Sequence, residues 1–466
     1  MFDKEIYINR RKRLKEQLGS GLILFLGNEE SSMNYTDNCY PFRQDSNFLY
    51  FFGLDRPGLA AIIDIDNTNE ILFGNDIDVE DIIWTGPMQS LNEQAAMAGV
   101  SKVLPALSIA DKINKVLSEK RKIYFLPPYR ADNMHKLINW LNIPFDLLKK
   151  SSSPELIKAV VVQRSIKNTE EIKEIEKGVN VTVDMQLEAA RLANEGISET
   201  KIAGIIHGIA LSAGGNLAFP TILTVNGQIL HNHSQGNILQ NGQMLLCDCG
   251  AETSMHYGGD LTRTTPVDKQ FSTRQKEIYD IVLQAHEAAI DSLLPGIFFK
   301  DVHLKACEKL AEGLKSIGLM KGNTKDAVSQ GAHAMFFQCG LGHMLGLDTH
   351  DMEDLGEEYV GYTDELIKSR QFGLKSLRLG RKLEAGFVVT VEPGIYFIPE
   401  LIDLWKSQNR FSEFINYKKL ETYKDFSGIR IEEDLLITDN GSRILGKSLY
   451  RGTEKSEISL KAQNHQ

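Results

Sequence analysis

Two aspartates occupy settings in which an acid has no structural reason to be. Asp248 lies in a short apolar run, with Met244 to Cys247 before it and Cys249 and Gly250 after, a pattern that reads as a buried strand. An unpaired carboxylate buried there carries a heavy desolvation cost. Asp260 opens a second run, through Thr265, whose threonines favour a strand, and Gly258 and Gly259 just before it permit a sharp turn. Two strands joined by a turn would set the carboxylates face to face. Like charges about 4 Å apart repel by roughly 4 kcal/mol at a typical effective dielectric, so the pair requires a shared proton or a cation.

Three later stretches share this oddity. GLGHMLGLDTHDMED sets His343 among Gly340, Gly342 and Gly346, with His350 seven residues on. VVTVEPGIYF places Glu392 at the end of an apolar strand, Phe387 to Val391, against a Pro-Gly turn. GIRIEEDLLIT alternates apolar Ile429 and Ile431 with Arg430 and Glu432, which puts the two charged side chains on one face of a strand. Each residue alone has an ordinary explanation: a turn histidine, a turn-capping acid, an exposed charge ladder. Together, four acids and a histidine set in apolar strands are harder to explain that way. Two divalent cations would balance four carboxylates and a hydroxide to within one charge. The oxygen-rich set with one imidazole suits Mn²⁺, Co²⁺ or Fe²⁺ better than a thiolate-type zinc site. A two-metal hydrolase is the chemistry inferred.

At 466 residues the chain exceeds one ordinary core, and two domains are expected. A hydrophobic content of 42% and a charged content of 24% are those of a soluble globular protein, and a net charge of −10 disfavours nucleic acid as a partner. Cys39, Cys247, Cys249, Cys307 and Cys339 form no CxxC pair, so neither a disulfide framework nor a zinc ribbon is indicated; a reducing, cytoplasmic setting is expected. No stretch reaches the length of a membrane span, and the N-terminal segment has the charges of an amphipathic helix without an apolar leader core.

The elements that must position these residues read as follows. A first helix runs to Leu18; strands are expected at Leu22 to Leu26, Phe48 to Phe52 and Lys122 to Leu126, with a hairpin from Leu59 to Phe73 around residues 66–69. A helix begins at Ser90, where Glu93 completes a capping box, and another covers Asp111 to Leu117. This describes a compact α/β domain without evident catalytic groups; Arg43, Asp45 and Asn47 read as a solvated loop in preference to a polar lip on a neighbouring site. The serines at 151–153 before Pro154 mark a boundary, followed by a transitional strand and a turn at 164–167. One long helix then spans Thr169 to Asn194, with Ile172, Ile175, Val179, Val183 and Leu187 on one face, and a second spans Glu199 to Leu211. A strand at Ile222 to Val225 precedes His231 and His233. Ser272 and Gln275 cap a helix reaching Leu294, and another lies near Val302 to Leu314. Two helical hairpins, each leading into strands, suggest two similar halves closing over a sheet. The last sixteen residues are polar and read as frayed.

The order Asp, Asp, His, Glu, Glu resembles the pita-bread metallopeptidases, in particular their Xaa-Pro aminopeptidase (aminopeptidase P) and prolidase branch. YPFRQDSNFLYFFGL resembles the signature of that family's N-terminal domain, and DLTRT, GLGHMLGLDTH, VEPGIY and GIRIEED resemble its catalytic motifs. The resemblance implies an α/β (α+β) chain, with a smaller N-terminal α/β domain over residues 1–165 and a C-terminal pita-bread catalytic domain over 166–455. It implies two divalent ions, Mn²⁺ first, with Co²⁺, Fe²⁺ or Zn²⁺ as alternatives. Asp248 would bind one ion, Asp260 and Glu432 would bridge both, and His343 with Glu392 would complete the other. A metal-bridging hydroxide would attack the scissile carbonyl, with Glu392 accepting its proton. His231 and His350 match histidines that contact substrate and steady the tetrahedral intermediate, and Arg430 would anchor the bridging carboxylates. His233 has no clear counterpart.

The implied activity is release of the N-terminal residue from peptides with proline second, by a homodimer or homotetramer that engages neither nucleic acid nor membrane. The alternatives are a prolidase restricted to Xaa-Pro dipeptides and a non-catalytic pita-bread binding protein; the segment Phe42 to Gly53 favours the aminopeptidase, and the full set of metal ligands disfavours a non-catalytic role. The chain departs from the family in two ways. Cys339 stands where a histidine is usual, and the interval from Asp248 to Asp260 is one residue longer. Residues 361–380 and 399–425, with Arg370 and Arg378 and the nearby Arg381, read as insertions shaping the pocket or an oligomer contact.

Overall fold

The computed structural model describes residues 1–267, 270–449 and 451, so the C-terminal stretch expected to fray lies, Arg451 apart, outside the described residues. The chain forms two compact units, Met1–Arg164 with Asp354–Tyr359, and Ser165–Glu353 with Val360–Gln466.

In the first unit a five-stranded mixed sheet runs in the order Lys102–Leu104, Asn69–Phe73, Ala60–Asp64, Leu22–Leu26, Ile123–Tyr124. Strand alternation sends Leu22, Leu24, Ile62, Ile71 and Phe73 to one face, where Ile109, Ile113, Val116 and Leu137 of two helices cover them. On the other face Phe25 meets Phe51, with ring centroids 4.9 Å apart. The expected hairpin forms with Asp64 opposite Asn69, and Ser90 and Glu93 make the capping box reciprocally.

Two segments differ from expectation. Ser46–Phe52 is a helix, not a strand. Every residue in it is buried, so the side-chain pattern carries no period to distinguish the two states. The backbone signals at its ends decide: Asp45 accepts from the Phe48 amide at 2.9 Å, and Gly53 closes the helix at φ 66°. The carbonyls left open at its C-terminal end take donors from Arg10 and Arg11 at 2.8 and 2.7 Å. Arg43, Asp45 and Asn47 therefore form a structural cap in place of a solvated loop: Arg43 Nη1 donates to the Gln44 carbonyl, and Asn47 Oδ1 accepts from the buried Arg164 at 2.7 Å. The second difference is Pro154–Ser165, a helix where a strand was expected. Its valines suggest a strand, but Pro154 at the first helical position and Glu155 beside it are helix-start residues, and buried Leu156, Ile157, Val160 and Val161 follow helical spacing.

The second unit repeats one arrangement twice. Helices Thr169–Leu192 and Glu199–Ser212 precede the antiparallel sheet ordered Leu261–Pro266, Met244–Cys249, Ile222–Thr224. Helices Thr273–Ile290 and Phe299–Ser316 precede a second antiparallel sheet ordered Val388–Val391, Glu433–Thr438, Gly441–Ile444. Cys247 and Cys249 pack with Met185, Ala189, Ile202 and Ile206 of the first helix pair, so the intervening Asp248 must face the other way. The long helix approaches the turn before Asp260 so closely that a Cβ on Gly259 would stand 2.7 Å from the Val179 backbone. Gly259 thereby lets the helix press the aspartate-bearing turn into place.

Candidate active site

The register of the first sheet brings the two aspartates together. Thr262 pairs with Asp248 across the ladder, and Asp260 lies two residues before Thr262, on the same face. Gln186, from the long helix, fixes this corner by donating to the carbonyls of Leu261 and Cys247 at 2.5 and 3.1 Å. The second sheet supplies Glu392 just beyond Val388–Val391.

Arg430 and Glu432 reach the site by a different route from the single alternating strand expected. Gly428–Arg430 pairs with Gly394–Tyr396, and Glu433–Thr438 pairs with Val388–Val391, so the chain changes partner at Ile431 and Glu432. Glu432 belongs to neither strand; its amide donates to the Thr262 carbonyl at 3.1 Å, which ties the second half of the unit to the first. The change of direction keeps both charged side chains at the site although regular strand geometry is lost.

His343 is held from both sides. Its amide donates to Thr390 Oγ1 at 3.2 Å, and its Nδ1 lies 3.0 Å from its neighbour's carbonyl, Met344 O, which can only accept. Nδ1 therefore donates, which leaves Nε2 facing Asp260 Oδ2, 3.4 Å away, and Glu392 Oε1, 3.6 Å away. Asp260, His343 and Glu432 each bring one ligand atom within 4.8 Å of the others. An imidazole nitrogen set among buried carboxylate oxygens is an arrangement that a cation satisfies.

The electrostatics agree. Burial pushes the Asp260 carboxyl well up from its usual range, and Asp248 pushes it further; Glu432 is raised by burial and by Asp260. Glu392 is raised to about 7, chiefly by burial and against the opposing pull of His343 and Arg430. Asp248 Oδ1 and Asp260 Oδ1 are buried and find no hydrogen-bond partner among the described residues. Oxygen donors from four acids, one oriented imidazole nitrogen and two orphaned carboxylate oxygens fit hard or borderline divalent cations.

Behind the carboxylates Arg430, 3% exposed, donates from Nη2 to Asp248 Oδ2 at 2.5 Å, from Nη1 to the Tyr396 hydroxyl at 2.9 Å and from Nε to Thr262 Oγ1 at 3.2 Å. The Thr262 hydroxyl in turn donates to Glu432 Oε2 at 2.6 Å. Asp434, fully buried, accepts from the Asp260 amide at 2.9 Å. Thr262, Tyr396 and Asp434 escaped the sequence reading. For Asp434 a signal existed, since it continues the alternation of Arg430 and Glu432 two residues on.

The site opens into a cavity of about 570 Å³ lined by Phe219, Ile222, Leu230, Cys339 and Arg378 among others. His231, His233 and His350 all line it, so His233, left without a role by the sequence, stands beside the two histidines that were given one. His350 packs edge-on against His343, ring centroids 4.4 Å apart, and its Nδ1 is 2.7 Å from Glu353, which also pairs with Arg378. Burial lowers the pKa of His350, followed by the neighbouring His343, while Glu353 opposes the shift. His231, at the exposed edge, is lowered by partial burial and by Arg430. Burial and the adjacent Glu392 push the Cys339 thiol up to about 12, which leaves it protonated. Of the three arginines noted in the sequence, Arg378 faces the cavity, whereas Arg381 pairs with Glu384 on its own turn.

Residues 173–439 match Metallopeptidase family M24, and residues 7–124 match the Aminopeptidase P, N-terminal domain. The chain belongs to metallopeptidase family M24. Within that family it is 30% identical to a probable Xaa-Pro aminopeptidase of Sordaria macrospora, over 91% of this chain and 88% of the relative. It is 29% identical to the Xaa-Pro dipeptidase of Homo sapiens, over 93% of this chain and 87% of the relative. Among solved structures, aminopeptidase P from Escherichia coli with the inhibitor Pro-Leu superposes with a TM-score of 0.78 at 26% identity, all of both chains covered. Proline aminopeptidase P II from Yersinia pestis gives a TM-score of 0.80 at 26% identity, covering 99% of this chain and 100% of that one. The M24 chain is thus a metallopeptidase with an aminopeptidase P-type N-terminal domain and a pita-bread catalytic domain, as the motifs implied. No helix among the described residues is long and apolar enough to cross a membrane.

Proposed function

We propose that this M24 metallopeptidase is a two-metal aminopeptidase that releases the N-terminal residue from peptides with proline in the second position. The observation that carries the reading is His343 Nε2, set by the Nδ1 contact to the Met344 carbonyl to face Asp260 and Glu392 amid buried carboxylates. In this reading Asp248 holds one ion, Asp260 and Glu432 hold both, and His343 with Glu392 holds the other. Bound there, divalent ions supply a water that is nucleophilic at neutral pH and polarise the scissile carbonyl.

The chain's own residues do the rest. Glu392, whose side chain is 20% exposed toward the cavity, takes the proton of the attacking water at a carboxylate oxygen. His350, held by Glu353 at Nδ1, presents Nε2 to the substrate, and His231 lines the same cavity. Arg430 holds Asp248 in place, and through Thr262 it orders Glu432. The apolar wall of Phe219, Ile222 and Leu230 suits a pyrrolidine ring, which has no N–H to satisfy. Mn²⁺ as the ion, residues 166–455 as the catalytic domain, a homodimer or homotetramer, and a reducing cytoplasm suited to five unbridged cysteines belong to the same reading.

A prolidase is the second reading, favoured by one observation: Arg378 in the cavity offers a guanidinium that could take the free carboxylate of an Xaa-Pro dipeptide. The two readings separate in one assay with added Mn²⁺. The aminopeptidase cleaves an Xaa-Pro-Yaa tripeptide at least tenfold more efficiently than the Xaa-Pro dipeptide; the reverse preference establishes the prolidase, and cleavage of neither refutes both.

A further inference from the structure

A second group of metal-ligand side chains lies in the catalytic unit, outside the set of carboxylates. His303 and Cys307 stand one turn apart on the buried face of helix Phe299–Ser316, and the short helical turn Ala332–Met335 brings His333 to them. One nitrogen from each imidazole and the Cys307 sulfur lie within 4.8 Å of one another. His303 Nε2 is 3.4 Å from Cys307 Sγ. All three residues are buried, and His303 Nδ1 with both nitrogens of His333 finds no hydrogen-bond partner among the described residues. The Val328 carbonyl is a marginal acceptor for His333, close enough to oppose the effect of burial on it.

A neutral imidazole always carries one N–H and one lone pair, so a buried ring with neither satisfied is a costly way to fill apolar space. Phenylalanine would fill it better, as Phe337 does against the other face of His303, with ring centroids 5.6 Å apart. His333 is close to that unsatisfied state, and His303 meets only the Cys307 sulfur, through Nε2, and leaves Nδ1 open; the two rings converging on one thiol point to a ligand that takes two nitrogen lone pairs and a sulfur. In tetrahedral zinc coordination, bonds of about 2.0–2.3 Å place neighbouring ligand atoms roughly 3.6 Å apart. The His303–Cys307 separation already meets that distance, and the remaining spread closes with movements of about an ångström. Donor type separates this group from the carboxylate site, because a thiolate with imidazoles selects zinc-class ions whereas oxygen-rich sets favour Mn²⁺.

We propose that His303, Cys307 and His333 form an additional, structural metal site for a zinc-class divalent cation, distinct from the catalytic pair. The ion would displace the Cys307 thiol proton to solvent and bind through the resulting thiolate, with no other bond made or broken. Burial, with His333 adding to it at His303 and the Val328 carbonyl opposing it at His333, lowers the imidazole pKa values to about 3 for His303 and about 4 for His333, so neither ring has to lose a proton to bind. Cys339, the nearest other thiol acting on Cys307, lies six residues after His333 and four before His343. An ion on His333 would therefore brace the segment that carries His343 into the active site.

Cobalt tests this without reference to turnover, because a thiolate bound to Co²⁺ gives a near-ultraviolet charge-transfer band that carboxylate and imidazole ligands do not. Chelator-stripped full-length protein titrated with Co²⁺ should develop the band to one equivalent, and Zn²⁺ should erase it by competition. The band should persist in Asp260→Asn and Cys339→Ser, vanish in Cys307→Ser, and require at least tenfold more Co²⁺ in His333→Asn, with circular dichroism confirming that each variant is folded. Zn²⁺ should also raise the melting temperature of Asp260→Asn but not of the Asp260→Asn, His333→Asn double variant. Absence of the band in folded wild-type protein overturns the proposal, as does a band that survives Cys307→Ser or is lost in Asp260→Asn. Loss in Asp260→Asn alone would leave the catalytic reading standing and remove only this one.

Discussion

Thr262 Oγ1 donates to Glu432 Oε2 at 2.6 Å while accepting from Arg430 Nε at 3.2 Å, so one hydroxyl couples the buried guanidinium to a carboxylate from the other half of the catalytic unit. A hydroxyl in this position can do what a carbonyl or an amide cannot, because it donates and accepts at once. Thr262→Val keeps the shape and β-branching but removes both bonds. Metal affinity is expected to fall about 10- to 100-fold, the usual cost of losing a group that orients a ligand, with the melting temperature of the metal-free protein nearly unchanged. Calorimetric titration with Mn²⁺ measures this; unaltered affinity would show that Glu432 needs no such support.

Asp260→Asn is the harsher change. It removes one charge from the buried acid cluster, so bound metal as well as rate should drop, and elemental analysis should find less than half the wild-type content. The apo variant is expected to be at least as stable as wild-type apo protein, since burial and Asp248 already disfavour ionisation of Asp260. Chelation should abolish wild-type hydrolysis and Mn²⁺ or Co²⁺ should restore it. Full activity in verified metal-free protein would defeat the proposed mechanism.

Cys339 sits in the cavity beside the reacting groups, yet its thiol is pushed up to about 12 by burial and by Glu392. A thiol held protonated is a poor nucleophile. Cys339→Ser should retain turnover to within about tenfold, and iodoacetamide should label the native residue slowly at pH 7. Loss of more than about a thousandfold with metal content intact would instead place sulfur in the chemistry.

What the sequence disclosed about this site followed from residues set against their surroundings. Asp248 between cysteines and leucines, and Glu392 after a run of valines, are legible because an acid in an apolar strand contradicts its context. The Ser46–Phe52 helix was not legible, because residues buried on all sides erase the periodicity by which helix and strand are told apart. The break between Arg430 and Glu433 was hidden for a related reason: alternation persists through a change of strand partner, and only the hydrogen bonds register the change. Thr262 and Tyr396 look like ordinary strand residues, and their role depends on an arginine more than thirty positions away in each case. His303 and Cys307 stand four residues apart, a spacing that lets two helical side chains share a ligand, but the third member, His333, joins them only when the helix and the turn are brought together.

In the N-terminal unit, Glu70 accepts from Arg11 Nε and Lys15 Nζ, each at 2.7 Å, with Arg11 wholly buried. Burial would raise the Glu70 pKa, but the two cations outweigh it and the carboxyl lies below its usual value. A carboxyl lowered on folding stabilises the native state above its unfolded pKa, near 4.3, and the contribution fades as pH falls through the folded value. Glu70→Gln should therefore cost about 2 kcal/mol at pH 7 and progressively less below about pH 4. Urea unfolding followed at both pH values decides it; an equal loss at each would assign the effect to packing and not to charge.

The proposed selectivity for proline can be tested through His350. An Xaa-Pro bond has no N–H, so a site that accepts it gains nothing by offering an acceptor there and must hold the substrate by its carbonyl oxygen and the faces of the ring. His350 is suited to the carbonyl: Glu353 fixes its Nδ1, the ring packs at a steep angle to His343, and the residue lines the cavity. Its lowered pKa keeps it neutral at pH 7, and with the acidic Glu353 as partner of Nδ1 it would acquire a second proton only when pH falls below its ordinary range. His350→Ala should lower kcat at least tenfold while metal content stays at the wild-type level, because the histidine contacts ligands without being one. Replacing proline by alanine in the second position should cost the wild-type enzyme at least tenfold in kcat/KM, about 1.4 kcal/mol of transition-state binding. Parallel kinetics on Xaa-Pro-Yaa and Xaa-Ala-Yaa peptides give both numbers. Equal efficiency on the two would strip proline from the reading and leave a general metallo-aminopeptidase, whereas a fall in metal content with His350→Ala would move that histidine from the substrate to the ions.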